Sequence, residues 1–575
     1  MASSLLKFQI GPVQDFIAQA RSTRDLWSGS YLLSWLVAEG IRELRAAGGK
    51  LIFPCDADAC QPLLELPSAI NHADHKAILT PNLPNIFIAR VEGDAADVAN
   101  RVADAIHAEW RRIAETVWGK RGRFGLSDEN GARFFAQVDR HVSISWMATP
   151  VTGDGADAYK AAYRLNGWHL DAVRQVREFE AWDSAVSEHA RICEKDSLSG
   201  KEEAVFRGTG NADPKNLVDN LLHRHADWLG AVAFIKRIWH IAYLKEEQHL
   251  NTGSREFLIR SIPAIAAREA KLDDEEAAQE KTAGDKYIAA IAFDGDSIGQ
   301  WVNGDFLPED SSLEAHHRDF SRALSRFALG RVRDIVEGTS EEVTSHQWKG
   351  QLIYAGGDDV VCLVPADIAL EVAAELRDEF HISTKGTPAT DGQPDASAGI
   401  AIAHIHAPLQ DLIREAKKAE KRAKNTVGRP AFSITVMKRS GEISQWGSRW
   451  SSGGLELYRA ITGLMKSEVL GARFPHRVCQ LLTPYLTNTT GLARQSDAIT
   501  DRATAHDLIR REFAHAAERQ GTADAARQLD TLLTTYLDRL DGDTQQAIHA
   551  VIGLCTTLAF ARRTAPGFSG NSSAP

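Results

Sequence analysis

The stretch Leu352-Ile353-Tyr354-Ala355-Gly356-Gly357-Asp358-Asp359-Val360-Val361-Cys362-Leu363-Val364 determines the predicted fold. Two apolar, β-prone runs flank two glycines and two aspartates, which predicts a tight β-hairpin with a carboxylate pair at its tip. Glycine permits a positive φ and a close approach of the backbone to a ligand. Adjacent carboxylates repel each other unless a cation lies between them, and oxygen-only ligands favour Mg²⁺ or Mn²⁺ over zinc. Taken alone, the tetrapeptide also fits an ordinary surface turn, so the interpretation depends on the surrounding elements.

The elements around this hairpin follow the order βαββαβ with a trailing strand, which predicts a ferredoxin-like split βαβ arrangement. The predicted strands are 287–293, 348–355, 360–364, 397–404 and 431–437, and the predicted helices are 312–337, 366–380 and 409–424. The first strand ends in Asp294-Gly295-Asp296-Ser297. In this topology the end of the first strand lies beside the tip of the central hairpin, so Asp294 can meet Asp358 and Asp359. Three carboxylates at one sheet edge predict a two-metal site.

With these motifs the chain resembles the large palm-domain subunit of type III CRISPR effector complexes, most closely the III-B (Cmr) branch. Gly356 to Asp359 match the family's Gly-Gly-Asp-Asp turn, and Asp294 to Asp296 match the element that ends its first palm strand. Three N-terminal stretches are also typical of the family: Ile10-Gly11-Pro12-Val13-Gln14-Asp15-Phe16-Ile17, Arg24-Asp25-Leu26-Trp27-Ser28-Gly29-Ser30-Tyr31-Leu32-Leu33 and Leu83-Pro84-Asn85. The resemblance covers residues from about 5 to about 440 and weakens beyond them.

The resemblance implies an α+β protein with two ferredoxin-like, nucleotide-cyclase-like palm domains and with interposed and C-terminal helical domains. We expect a degenerate cyclase-like palm domain at 1–150, a helical domain with a degenerate zinc element at 151–283 and a catalytic palm domain at 284–440. A C-terminal helical domain with a disordered tail is expected at 441–575. The first domain lacks the Gly-Gly-Asp-Asp turn, so no catalysis is assigned to it. Its Arg21, Arg24 and Asp25 either face a partner or nucleotide or form a salt-bridged helix end.

The chain departs from the family pattern at two metal-binding elements. Only Cys193 remains near the expected zinc element, where Asp196 and Ser199 replace further cysteines. Because structural zinc needs four sulfur or nitrogen ligands, we expect zinc to be absent. Many family members carry an N-terminal His-Asp nuclease domain, whereas this chain begins at the Ile10-Gly11-Pro12 block. His506-Asp507 is a lone dipeptide in a helical region, so no HD nuclease activity is expected.

Composition is that of an ordinary soluble protein of 575 residues, with 43% hydrophobic and 25% charged residues. The absence of a signal sequence and of an apolar run of about 18 residues predicts a cytoplasmic protein with no membrane partner. The formal net charge of −11 argues against a general nucleic-acid binder but leaves room for local basic faces. Six scattered cysteines suit reduced thiols rather than a disulfide framework.

The activity that the resemblance implies is target-RNA-activated nucleotidyl transfer, which makes cyclic oligoadenylate from ATP. Asp294, Asp358 and Asp359 are the expected catalytic residues and ligands of two Mg²⁺ or Mn²⁺ ions, and Asp296 is either an outer group or exchanges roles with Asp294. The residues expected to bind the nucleotide are Gly356, Gly357, Gly295, Ser297 and Lys424. The expected partners are the other effector subunits, crRNA and target RNA.

Lys424 is assigned from its place just before the last predicted palm strand, where related cyclase palms hold the triphosphate with a lysine. It ends a strongly basic helical run, 414–425, that also fits a solvated helix face. Two other functions stay open. One is a non-catalytic scaffold subunit, and the other is an active palm that transfers AMP to another small-molecule acceptor. A stand-alone cyclic-dinucleotide synthase is disfavoured because the N-terminal block matches an assembly subunit.

Overall fold

A computed structural model describes residues 3–54, 62–65, 78–153, 155–176, 194–213, 216–250, 259–268, 287–339, 348–486, 501–540 and 544–561 of the protein. The strands are β1 (Ser3–Gly11), β2 (Lys50–Phe53), β3 (Ile86–Glu92), β4 (Ser143–Pro150), β5 (Phe206–Arg207), β6 (Trp228–Leu229), β7 (Tyr287–Gly295), β8 (Gln351–Gly356), β9 (Asp359–Pro365), β10 (Ala396–His404), β11 (Ala431–Met437) and β12 (Ile443–Arg449).

Helices of the first half are α1 (Gln14–Ala18), α2 (Thr23–Ala46), α3 (Ala95–Gly119), α4 (Arg121–Phe124), α5 (Gly131–His141), α6 (Ala156–Gln175), α7 (Leu217–His223), α8 (Ala231–Trp239) and α9 (Ile262–Ala266). Those of the second half are α10 (Ile298–Asn303), α11 (Leu313–Leu329), α12 (Val332–Glu337), α13 (Ala369–Thr384), α14 (Leu409–Arg422), α15 (Gly454–Lys466), α16 (Phe474–Leu482), α17 (Arg502–Gln520), α18 (Ala523–Asp538) and α19 (Thr544–Ala561).

Two sheets with the same inner strand order organise these elements. The first sheet has the order β2-β3-β1-β4, and the second has the order β12-β11-β10-β7-β9-β8. In each, the first strand of the unit lies between the third and the fourth, which is the order of a split βαβ fold. The α+β, ferredoxin-like fold class predicted from the sequence is therefore confirmed.

β7 lies inside the second sheet, with β9 antiparallel on one side and β10 antiparallel on the other. Its side chains alternate between the two faces. The odd-numbered residues from 289 to 293 belong to one apolar core and the even-numbered residues from 288 to 292 to another. The first core includes residues of α11, α13 and the C-terminal helices, and the second includes residues of α14 and of the first domain. Because both faces are covered, β7 is an almost continuous apolar run.

The sheet continues past the strand that the sequence predicts to be last. β12 pairs antiparallel with β11, with Ile434 opposite Trp446. The sequence pattern of β12 does not predict a strand, because serine, glycine and glutamine dominate it and only three of its positions are buried. The C-terminal helices that follow β12 bury Tyr536 and Leu554 in the same core as β11.

The first helix, α1, ends at Ala18. The buried Lys236 ammonium donates to the carbonyls of residues 16, 17 and 19 at 2.5, 3.2 and 2.8 Å. One predicted helix is wrong in its bounds. The helix predicted at 312–337 is interrupted at Gly330, between α11 and α12. The region predicted to be mostly helical, 151–283, also holds the small β5–β6 pair.

Some predictions fall on residues outside the described ranges, namely Cys193, the linker up to residue 283 and the C-terminal tail. Within the described ranges, none of the helices combines the length and the apolar character that crossing a bilayer requires.

Candidate active site

The tip of the β8–β9 hairpin is a two-residue loop. Gly356 pairs with Asp359, so Gly357 and Asp358 form the turn between them. Gly357 has a φ of +69°, a left-handed value that glycine adopts at little cost and that two-residue hairpins need at their first central position. The predicted hairpin is therefore present, with both aspartates at its tip.

The end of β7 lies directly beside this tip. The β7–β9 ladder ends with Phe293 opposite Val360, so the next residues, Asp294 and Asp359, follow the last pair on adjacent strands. A side chain at Gly295 would place its Cβ 2.9 Å from the Cβ of Asp358. The backbone of Gly295 therefore lies against the base of the Asp358 side chain, where there is no room for a Cβ. The structure thus brings together the three carboxylates that the sequence places at one sheet edge.

The hairpin carboxylates lie in an electrostatically unfavourable environment. Burial, followed by the negative charges of Asp294 and Asp359, raises the pKa of Asp358 well above its usual range. Burial and the charge of Asp294 raise the pKa of Asp359 to about 7. Such shifts arise when several carboxylates share one desolvated site without enough positive charge. A bound cation would reverse them.

Lys424 is the cation already within this cluster. Its ammonium forms one ion pair with Asp294 and a second with Glu420 at 3.0 Å, and it donates to the carbonyl of Gly295 at 3.1 Å. Its side chain is only 8% exposed. Lys424 follows α14 in a π-helical turn, Ala423–Gly428. The sequence assigns Lys424 to a triphosphate, and the structure places it among the carboxylates themselves.

Asp296 and Ser297 turn away from the three carboxylates. Both carboxylate oxygens of Asp296 accept from the Ser397 hydroxyl, at 2.9 and 2.8 Å, and burial raises the pKa of Asp296 to about 6. Ser297 has a φ of +56°, which is unusual for a residue with a side chain. Its hydroxyl accepts from the Arg429 guanidinium at 3.3 Å. Of the two roles open to Asp296, this geometry favours an outer group over an exchange with Asp294.

The donor set fits divalent metal ions of the Mg²⁺ type, since it consists of carboxylate oxygens. In the described part of the chain, no group of three or more His, Cys, Asp or Glu side chains is already arranged around a single ion position. The Asp294 carboxylate is instead paired with the Lys424 ammonium. Metal binding would thus require Asp294 to exchange Lys424 for the ion.

A cleft of about 1540 Å³ runs between the first domain and the palm. Tyr354, Asp359 and Lys417 contribute to it from the palm, and the segments 9–18, 143–145 and 171–176 contribute from the first domain. Asp294, Asp358 and the two glycines do not line it. Among the described residues, the only atom within 4 Å of a Cβ placed on Gly357 is a methyl group of Leu324, at 4.0 Å. The hairpin tip is therefore open to a ligand next to the cleft.

Two residues of the site are not among those the sequence singles out as functional. Tyr354 lies under the cluster, and burial together with the charges of Asp359 and Asp358 raises its pKa. A side chain on Gly356 would collide with the Tyr354 hydroxyl. Glu420 holds Lys424, as described above. The i, i+4 spacing of Glu420 and Lys424 on one helix is a sequence signal for that pair, whereas no local pattern marks Tyr354.

Other residues singled out in the sequence have local structural partners. Asp25 caps α2, since its carboxylate accepts from the backbone of Arg21 and Ser22 while the Ser22 hydroxyl accepts from Asp25. Asp196 closes a turn by accepting from the backbone N–H groups of residues 198, 199 and 230. His506 Nδ1 lies 4.0 Å from Asp538, and Asp507 lies 4.0 Å from Arg511. Of the two interpretations of Asp25, a contact with a partner or nucleotide and a helix end, the structure fits the helix end.

Comparison with protein families gives two matches. The model of the Cas10/Cmr2 second palm domain matches residues 287–433, and the model of the N-terminal part of the CRISPR-associated protein Cmr2 matches residues 5–115. The first match contains β7 to β11 and the carboxylate cluster. The second contains β1, β2, β3 and most of the helices that cover the first sheet.

Two curated relatives align with the chain. The CRISPR system Cmr subunit Cmr2 of Pyrococcus furiosus is 26% identical over 560 residues, which cover 76% of this chain and 62% of that protein. The CRISPR system single-strand-specific deoxyribonuclease Cas10/Csm1 (subtype III-A) of Mycobacterium tuberculosis is 25% identical over 281 residues, 45% of this chain and 32% of that protein. The chain therefore spans less than two thirds of the length of either relative.

Among solved structures, the type III-B Cmr-beta complex in its apo state contains a chain similar to this one, with a TM-score of 0.60 at 13% identity over 91% of this chain and 77% of that chain. The Cmr-beta complex bound to cognate target RNA gives 0.59 at 12% identity over 90% and 78%. These identities are evidence for the fold alone. The family matches and the Pyrococcus relative show that this chain is similar to Cas10/Cmr2 proteins in its N-terminal part and in its palm.

Proposed function

We propose that this protein is a nucleotidyltransferase subunit of a type III-B effector, which makes cyclic oligoadenylate from ATP when the complex holds target RNA. The observation that carries the proposal is the convergence of Asp294, Asp358 and Asp359 at the open end of β7, with Lys424 among them. The family resemblance supplies the product, since the side chains alone indicate only phosphoryl chemistry on a metal-bound nucleotide.

The residues of the cluster have separate roles in this proposal. Asp294 and Asp358 would bridge two Mg²⁺ or Mn²⁺ ions, and Asp359 would complete their ligands. When bound, these ions activate a 3′-hydroxyl and stabilise the α-phosphate and the leaving pyrophosphate. The Gly356-Gly357 turn and Gly295 leave room above the sheet for the phosphates, and Ser297 lies at the same edge.

Lys424 changes partner in this scheme. In the structure its ammonium neutralises Asp294 and Glu420. When cations take over the neutralisation of Asp294, the lysine is released from that carboxylate and remains close enough to the site to bind a phosphate oxygen. A flexible ammonium makes no geometric demand on the phosphate, which suits a group that moves during the reaction. Lys424 would thus offset part of the negative charge of the site before substrate binds and hold substrate afterwards.

The partners follow from the relatives. Structures similar in fold come from Cmr-beta complexes, one of them bound to cognate target RNA. We propose that this chain likewise assembles with other effector subunits, crRNA and target RNA. Its first domain would then serve as an assembly and interface domain, because it has no counterpart of the hairpin carboxylates.

Product analysis of the assembled complex tests the proposal. The complex is incubated with target RNA, labelled ATP and Mg²⁺, and the products are separated and identified by mass spectrometry. The wild type is expected to form oligoadenylate, and Asp358→Ala combined with Asp359→Ala is expected to reduce it by at least about a thousandfold while assembly survives. Asp391→Ala, on an exposed loop of the same palm, is the matched control and should retain full activity.

Two other results would contradict the proposal, and each would support a different function. If the wild-type complex assembles, binds target RNA and leaves ATP unchanged, the protein is a non-catalytic scaffold. The ion pair between Lys424 and Asp294 favours this candidate, because it satisfies the carboxylate without a metal. If AMP appears on another small molecule, the palm is active but has a different acceptor.

A further inference from the structure

Two cysteine side chains from different helices meet in the C-terminal part of the chain. Cys479 lies on α16 and Cys555 on α19, and the Cys555 thiol donates a hydrogen bond to the sulfur of Cys479. The Cys479 thiol in turn donates to the carbonyl oxygen of Ile552, one turn before Cys555 on α19, at 3.7 Å. Both thiols are free in the structure. The two helices thus hold two reduced sulfurs next to each other, and we call them the thiol pair.

The core around the thiol pair fixes the two helices against each other. Val478 and Leu482 of α16 and Leu554 of α19 are fully buried in the same apolar core. A Cβ on Gly553 would lie 2.7 Å from the carbonyl oxygen of Gln445, so α19 is also held against β12. Close-packed interiors leave side chains little freedom. Each sulfur is therefore presented to the other at a high effective concentration.

The two members of the pair differ in their access to solvent. Cys555 is fully buried, whereas Cys479 is only partly buried. A small reagent from solution therefore reaches Cys479 first. The other free cysteine in the described part of the chain, Cys362 on β9, is buried in the palm core, and burial raises the pKa of its thiol. Cys362 thus provides an internal reference for an inert thiol.

The electrostatic environment assigns different roles to the two sulfurs. The hydrogen bond from Cys555 lowers the pKa of the Cys479 thiol against the effect of burial, and the positive charge of Lys438 adds to this shift. The same hydrogen bond, together with burial, raises the pKa of Cys555 well above its usual range. Because the thiolate is the nucleophile in oxidation and exchange, Cys479 is the sulfur that reacts with an oxidant, and Cys555 is the partner within its reach.

We propose that the thiol pair is a modification site at which a hydroperoxide oxidises Cys479 and Cys555 reversibly to a disulfide. In the first step the Cys479 thiolate attacks one oxygen of hydrogen peroxide and the O–O bond breaks, which gives a sulfenic acid and a hydroxide that takes up the proton released by Cys479. In the second step the Cys555 sulfur attacks the Cys479 sulfur, the S–O bond breaks, and the hydroxide leaves as water with the Cys555 proton. Two thiols thus lose two electrons, and the peroxide is reduced to two molecules of water.

The disulfide would join two helices that help to cover one face of the palm sheet. Since α17 and α18 lie between them in sequence, the bond would close a long loop, and such links stabilise a fold mainly by restricting the unfolded chain. Oxidation would therefore hold the C-terminal helices on the sheet more firmly. The site uses none of the carboxylates of the candidate active site and does not rest on the function proposed above.

Peptide mapping of the full chain tests the site. The folded protein is treated with hydrogen peroxide, the remaining thiols are blocked, and trypsin then releases peptides 478–494 and 540–562, each with one cysteine. We expect these two peptides to be joined, with two hydrogens fewer than their summed masses, and to be separated again by dithiothreitol. Cys362 should remain a thiol. A map in which Cys479 reaches sulfinic acid while Cys555 stays a thiol would overturn the proposal, and so would a Cys479 that peroxide leaves unchanged.

Comparison with the unfolded chain separates a preformed site from a random encounter of two cysteines. In urea the six cysteines pair freely, so only about a fifth of the disulfide-bonded Cys479 should be joined to Cys555. In the folded protein nearly all of it should be joined to Cys555, because the fold holds the two sulfurs together. A folded protein that gives the distribution seen in urea would contradict the proposed geometry.

Two matched variants assign the roles of the sulfurs. In Cys555→Ala the sulfenic acid on Cys479 has no partner, so dimedone, which labels sulfenic acids, should label Cys479 severalfold more than in the wild type. In Cys479→Ser neither the link nor a label on Cys555 should appear. If Cys555→Ala is labelled as the wild type is, Cys555 does not resolve the sulfenic acid and the proposal fails. Should a variant not fold, the peptide map of the wild type still decides.

Thermal unfolding measures the effect of oxidation on the fold. The oxidised wild type should unfold about 3 °C or more above the reduced protein, and dithiothreitol should restore the lower temperature. Peroxide should leave the unfolding temperature of Cys479→Ser unchanged. A linked protein that unfolds at the same or a lower temperature would show that α16 and α19 must move to form the bond, which contradicts a preformed site.

Discussion

Asp359 lies half-buried at the start of β9, and its pKa of about 7 links the site to protein stability. The carboxyl of an unfolded chain titrates near 4. Between pH 4 and 7 the folded protein therefore holds a proton that the unfolded chain has released. Under these conditions the free energy of unfolding falls as the pH rises, and above pH 7 it stays lowered.

Replacing Asp359 by asparagine removes the loss of stability that ionisation of its carboxyl causes. In EDTA at pH 8, Asp359→Asn is expected to raise the free energy of unfolding by about 1–2 kcal/mol, less than the full pKa shift implies because the side chain is partly exposed. At pH 5 the gain should shrink to about a third. Urea unfolding at the two pH values measures it. Asp391→Asn, on an exposed loop of the same palm, is the matched control. An Asp359→Asn protein less stable than the wild type at pH 8 would contradict the charge repulsion described above.

Divalent ions should reverse the order of stability of the wild type and Asp359→Asn. At pH 8, added Mg²⁺ or Mn²⁺ is expected to raise the unfolding temperature of the wild type and to leave that of Asp359→Asn nearly unchanged, because asparagine offers the ion one neutral oxygen. Equal shifts in both proteins would place the bound ion elsewhere. Calorimetric scans with and without the ion give the comparison.

At the scale of elements, the contact between β10 and α14 positions Lys424. A Cβ on Gly399 would lie 2.0 Å from the backbone nitrogen of Glu420 and 2.2 Å from the carbonyl oxygen of Ala416. The strand and the helix therefore touch through their backbones. Any side chain at this position would push α14 outwards, and with it Glu420 and the turn that carries Lys424.

Gly399→Ala is accordingly expected to destabilise the protein by about 3 kcal/mol and to lower nucleotidyl transfer by displacing Lys424. The matched control is Gly463→Ala in α15, where a new Cβ meets no atom of the described residues within 4 Å. That variant should gain about 0.5–1 kcal/mol, since alanine suits a helix interior better than glycine. A Gly399→Ala protein as stable and as active as the control would show that the strand–helix contact does not hold the lysine.

The sequence predicts the elements whose pattern is local. β7, the β8–β9 hairpin, β10 and α14 are apolar or amphipathic runs bounded by turn residues, and their order is sufficient to bring Asp294 to Asp358. β12 escapes prediction because its polar sequence becomes a strand only by pairing with β11 and by burying Trp446 under α18. The position of Tyr354 and the pairing of Cys479 with Cys555 escape it for the same reason, since each depends on packing between segments distant in sequence.

At the scale of the whole molecule, the C-terminal helices complete the palm rather than standing beside it. Trp446 Nε1 donates to the Tyr536 hydroxyl at 3.3 Å, and a Cβ on Gly553 would lie 2.7 Å from the carbonyl oxygen of Gln445. The apolar core of β7 and β11 includes residues from α15 to α19. Removal of these helices would expose one full face of the sheet to water.

A chain shortened to residues 1–440 is therefore expected to lose the cooperative unfolding of its palm, because the exposed face would cost far more than the 5–15 kcal/mol that stabilises a typical domain. Differential scanning calorimetry should show a transition from the first domain at most, and the product should aggregate through the unpaired edge of β11. A chain shortened to 1–561 retains β12 and every described C-terminal helix, and it should unfold as the full chain does. If 1–440 showed a palm transition at the wild-type temperature, the helices would be an independent domain, and the shared core would contribute nothing to the stability of the carboxylate site.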